Sequence, residues 1–165
     1  MRARIFIVLL VVFIVNACNQ GDKQSSKKSA QKHEIVREVL ETYPDGKPKK
    51  ERYTDKVTHE YKEIIYYNNG QKYLEGSFTP NHKRTGEWIS YFEDGRIKSR
   101  TTFKDGKTDG KIEVYRKNGT LFYEGYYKQG LKEGIWHIYN DSGKLGAEVK
   151  YALDTIVYQK RFFKP

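Results

Sequence analysis

His33, His59, His82 and His137 are the side chains best suited to metal binding or proton transfer, and their spacing argues against both. None forms a pair at ligand spacing, and no second cysteine is present to complete a zinc set. The serines lack a nucleophile elbow. The stretch GKTDGK, Gly106 to Lys111, has the look of a phosphate loop. Its glycines are four apart, however, and Ile112 follows the lysine where such a loop needs Ser or Thr. DGKTDG lacks the acid series and closing glutamate of a calcium loop. Acid pairs for glycoside hydrolysis are not singled out, because any sheet face gathers carboxylates. The expectation is a chain that is not an enzyme and holds no cofactor or metal.

The one cysteine, Cys18, has a more specific chemistry. It follows MRARIFIVLLVVFIVNA, a short basic start and an apolar run from Ile5 to Val15. As a helix that run spans only about 16 Å, well short of a bilayer core, which fits a secretory signal peptide better than a membrane span. VNAC resembles the lipobox of bacterial lipoproteins, in which the cysteine becomes the lipidated first residue. The resemblance implies a cleaved segment 1–17, membrane attachment through Cys18, and export to the cell envelope, at the outer membrane on its periplasmic or surface face. Beyond Cys18 no apolar residue larger than Ala30 occurs up to His33, and residues 18–33 read as a flexible tether. The net charge of +10 favours an anionic lipid, an anionic polysaccharide or an acidic protein as partner. It also suits lysines that only keep exposed strands soluble. Nucleic acid is not expected.

What must position any functional residue is a repeat. Residues 34–165 are punctuated by YPDG, YNNG, FEDG, RKNG and NDSG, whose glycines (Gly46, Gly70, Gly95, Gly119, Gly143) lie 24, 25, 24 and 24 residues apart. Tyr91, Tyr115 and Tyr139 recur every 24 residues. A fixed period of this size marks a repeat architecture. Segments such as EWISYF and RIKSRTTF flank the tetrads and are rich in aromatic and β-branched residues, as strands are. The predicted fold is all-β: an elongated, single-layer meander of stacked β-hairpins with a period of about 24. HEIVREVLETY at the start carries helical spacing as well. The repeat register makes it a strand, and a short capping helix is the alternative.

Alternation along the strands assigns two faces. Trp88, Ile112 and Trp136 align with Ser90, Val114, Ile138, Phe78, Phe103, Tyr127 and Tyr151 in an apolar stripe, the expected packed face. The opposite face carries Tyr91, Tyr115 and Tyr139 with Phe122 and Tyr126 among charges, and is expected to meet solvent or a partner. These five aromatics form the candidate binding face. Tyrosine gives large contact area at low entropic cost, which suits a protein, extended peptide or glycan ligand; the same rings could equally stabilise one another across strands.

The stretch from Tyr115 to Tyr139, YRKNGTLFYEGYYKQGLKEGIWHIY, resembles the MORN repeat in its bacterial variant form, and the likeness covers roughly residues 43–151. It implies a single-layer stack of hairpins, no catalytic residues, and a scaffold or binding role. Many bacterial chains with this variant are classed as antitoxins, so an antitoxin-like or immunity protein that neutralises a toxin by direct contact is the alternative function.

Overall fold

The computed structural model describes residues 33–162. The signal segment, Cys18 and nearly all of the tether lie outside the described residues. Eleven strands form one antiparallel sheet in strict sequence order. They are β1 (Ile35–Thr42), β2 (Pro48–Asp55), β3 (Tyr61–Tyr66), β4 (Lys72–Phe78), β5 (Arg84–Tyr91), β6 (Ile97–Lys104), β7 (Lys107–Tyr115), β8 (Leu121–Lys128), β9 (Leu131–Tyr139), β10 (Leu145–Ala152) and β11 (Thr155–Arg161). No helix occurs among the described residues. The ambiguous opening segment is the edge strand β1, and His33 just before it hydrogen-bonds Asp55.

The tetrads are the turns joining each pair of strands, closed by bonds such as Gly119 N–H to the Arg116 carbonyl at 2.9 Å. The five tetrad glycines take φ between 77° and 87°, a conformation other L-residues adopt only with strain. Just after each turn the register skips one residue: Tyr73 in β4, Lys98 in β6, Phe122 in β8 and Gly146 in β10. This bulge recurs with the period of the sequence, so it belongs to the unit rather than to a local accident.

A single sheet has no second layer to bury against, and the core is correspondingly thin. The most buried apolar residues are Tyr61, Ile64, Trp88, Trp136 and Val149. On the stripe side Phe78 and Phe103 flank Trp88 edge-on, with ring centres at 5.0 and 5.8 Å. Tyr127 and Tyr151 flank Trp136 in the same way at 5.2 and 5.7 Å. Each tryptophan lies where a glycine leaves room in the preceding strand. A Cβ on Gly76 would sit 2.2 Å from the Trp88 ring, and one on Gly125 would sit 2.3 Å from the Trp136 ring. In the unit between them Thr101 stands opposite Ile112. The chain therefore uses two solutions at one site: glycine under tryptophan, or threonine beside isoleucine.

The expectation of one packed and one open face needs correction. Glu51 and Glu75, on the tyrosine side, are only 3% and 5% exposed, as buried as the tryptophans, and Ile64 is buried beside them. Both faces pack, one with aromatic rings and the other with carboxylates, phenols and cations.

Candidate binding surface

The tyrosine side is built on a second periodic position, among the charges that alternation places on that face. Residues 51, 75, 100, 124 and 148 follow the period and read Glu, Glu, Arg, Glu, Glu. Three of the four acids receive the hydroxyl of the tyrosine that ends a neighbouring strand. Tyr66 donates to Glu51 at 2.8 Å, Tyr91 donates to Glu75, and Tyr139 donates to Glu124 at 2.8 Å. Tyr115 meets Arg100 at the corresponding place and donates instead to Glu113 on its own strand, at 3.0 Å.

Cations complete these networks. Arg37 pairs with Glu51, and Lys62 and Lys72 converge on Glu75. Lys111 bridges Glu113 and Glu124 at 2.6 and 3.0 Å. A carboxylate taken out of water is tolerated only with such partners. Burial alone would raise the Glu75 carboxyl, but the hydrogen bonds from Lys62, Tyr91 and Lys72 outweigh it and hold the group at about 2. Burial, then the hydrogen bond to Glu75, pushes the Tyr91 phenol up to about 12. The paired carboxylates raise the Lys111 ammonium.

The turns are stitched together as well. Tyr43 donates to the Tyr66 carbonyl at 2.7 Å and Tyr67 to the Tyr91 carbonyl at 2.9 Å, each reaching one unit along. Arg116 makes the equivalent bond to the Tyr139 carbonyl at 2.6 Å, while Phe92, in the same series, has no donor to offer. Asn69 and Asn118 reach the carbonyls of Glu93 and Asp141.

Against this geometry the five aromatics proposed from the sequence separate. Tyr91, Tyr115 and Tyr139 share the carboxylate face, with hydroxyls committed to glutamates. Tyr126 is on the same face and 54% exposed, bordering a shallow depression with Lys111, Glu124, Ile135 and His137. His137 sits between Glu124 and Glu148, at 3.8 and 3.7 Å. Phe122 does not join them. It occupies the bulge of β8, lies under the Arg116 guanidinium at 4.2 Å and packs on Tyr123 at 5.3 Å. It therefore borders the depression around Trp136. Simple alternation failed at Phe122 because the bulge adds a residue to the strand. The glutamate partners, missed in the sequence, could have been found by aligning Glu51, Glu75, Glu124 and Glu148 on the period that the glycines supply.

The matched unit is a single hairpin. The MORN repeat variant is found twice in succession, at residues 84–105 and 108–129. The first copy is β5 with β6, the second β7 with β8. These two MORN units include the Trp88 and the Ile112 forms of the packing site. The period, turns and bulges continue on both sides, through β3–β4 and β9–β10. A search of curated proteins found no match. MORN repeats suggest a repeat-based binding or scaffold module.

Proposed function

We propose that the chain is a non-enzymatic binding module, held by a lipidated Cys18 in a bacterial envelope and presenting its MORN-type sheet to a protein or glycan. The observation that carries the binding role is the use made of the acids. The buried carboxylates Glu51, Glu63 and Glu75 are all occupied by cations and phenols, so the groups best placed for acid–base chemistry are spent on holding strands together. What remains outward are exposed rings such as Tyr126 and Phe122 on two broad faces. The anchoring part rests on the VNAC sequence and the apolar run before it.

Two measurements test this reading. Cys18→Ala should move the protein from the membrane fraction to the soluble fraction; unchanged membrane association rejects the anchor. Tyr126→Ser should weaken capture of an envelope partner in a pull-down without changing the circular dichroism spectrum; unaltered capture removes that residue from the surface. The second reading, neutralisation of a toxin by direct contact, rests on the same repeat resemblance. A toxin encoded beside this gene, whose product binds the sheet, would favour it.

A further inference from the structure

The two tryptophan clusters of the aromatic face share a geometry but not a chemistry. Around Trp88 the flanking rings are Phe78 and Phe103; around Trp136 the corresponding residues are Tyr127 and Tyr151, with Tyr123 stacked on the indole at 5.8 Å. The phenylalanines show that packing a tryptophan here needs no hydroxyl. Most phenols elsewhere are used: those of Tyr43, Tyr53, Tyr61, Tyr66, Tyr67, Tyr91, Tyr115 and Tyr139 hydrogen-bond within the chain, and Tyr73, Tyr126 and Tyr158, which do not, are exposed rings outside the depression. Among the described residues, those of Tyr123, Tyr127 and Tyr151 have no such partner, and all three residues border a single depression of about 240 Å³ beside Trp136.

A cation completes the site. The Lys132 ammonium lies over the rings of Trp136 and Tyr151 at 5.0 and 4.8 Å. No carboxylate among the described residues is within ion-pair distance of it. Two neighbouring acids are otherwise engaged: Asp154 accepts the Lys132 backbone N–H at 2.7 Å, and Glu133, next in the chain, accepts that of Leu153 at 3.0 Å. The lining of the depression therefore offers apolar ring surface, three free hydroxyls, one positive charge and no negative charge.

Building on the binding-module reading, we propose that this depression is a subsite for an acidic saccharide. Sugar C–H surface would lie against the rings of Phe122, Tyr123 and Tyr151. The phenols would exchange hydrogen bonds with sugar hydroxyls, and Lys132 would pair with the carboxylate. Concave aromatic sites with a few placed polar groups are the usual form of small-ligand recognition. A site built to bond hydroxyls also rejects ligands that leave its own groups unpaired.

The test is calorimetric titration of the full chain in detergent with tetragalacturonic acid and with maltotetraose, an acidic and a neutral saccharide of equal length. The acidic one should bind about tenfold more tightly or better, the scale of one charge-assisted contact. The pair Tyr127→Phe with Tyr151→Phe copies the protein's own Phe78 and Phe103. It should weaken binding by about tenfold while leaving the melting temperature unchanged. Lys132→Met should erase the preference for the acid. Absence of binding by both saccharides, equal affinity for both, or full affinity in the double phenylalanine variant overturns the subsite. If no saccharide binds and a protein partner is still captured through Tyr126, the subsite fails and the binding-module reading stands.

Discussion

The Trp136 unit and the Ile112 unit are built on the same backbone and differ on both faces at once. In the first, Gly125 gives way to a tryptophan, and Glu124 accepts the Tyr139 hydroxyl. In the second, Thr101 stands beside Ile112, and Arg100 occupies the glutamate position, so Tyr115 turns to Glu113. The difference teaches that a repeat position is not an independent site. What repeats is the volume of a pair of residues on one face and the charge balance of a cluster on the other. Either pair can be exchanged for another that keeps the sum.

The comparison can be broken most forcefully at the glycines. Gly125→Thr forces a side chain into the Trp136 ring and should cost about 3 kcal/mol, the upper end for overpacking, read from the urea midpoint. Thr101→Gly, at the matching place in the Ile112 unit, removes packing without a clash and should cost about 1 kcal/mol.

Next in size is the buried charge. Glu75→Gln leaves Lys62 and Lys72 without their acid and should lose about 2 kcal/mol at neutral pH. The pH dependence follows from the direction of the shift. The Glu75 carboxyl is held at about 2 against an ordinary 4.5, so its contribution is complete above about 4.5 and is lost as pH falls towards 2. Acid titration of stability should be steeper in this window for the parent than for Glu75→Gln, and equal slopes would show that the network contributes nothing.

How much of this was legible in the sequence follows from what each feature needs. The turn tetrads need positive φ, so glycine recurs visibly and fixes the hairpins and the all-β fold. The tryptophan stripe follows from alternation. The carboxylate face was harder to see because a lone glutamate on a strand reads as a solvated charge; its burial arises only when the strand holding its tyrosine is laid beside it. Alternation puts Phe122 on the wrong side because a bulge inserts one residue and breaks the period of two. The free phenols of Tyr127 and Tyr151 carry no signal in composition and stand out only against Phe78 and Phe103.

Smaller effects sharpen the same contrast. Tyr91→Phe deprives a buried acid of a donor and should cost about 1.5 kcal/mol, whereas Tyr115→Phe acts on the more exposed Glu113 and should cost about half as much. Asn118→Ala cuts one solvent-facing stitch between turns and should change stability by only about 0.5 kcal/mol by thermal melting.

The residues under and beside each packing site are one coupled choice. A double-mutant cycle of Gly125→Thr and Trp136→Ile tests it most directly, since together they copy Thr101 and Ile112 into the Trp136 unit. The double variant should be more stable than the sum of the single losses allows, by a coupling of about 2 kcal/mol. Single losses that simply add would contradict it.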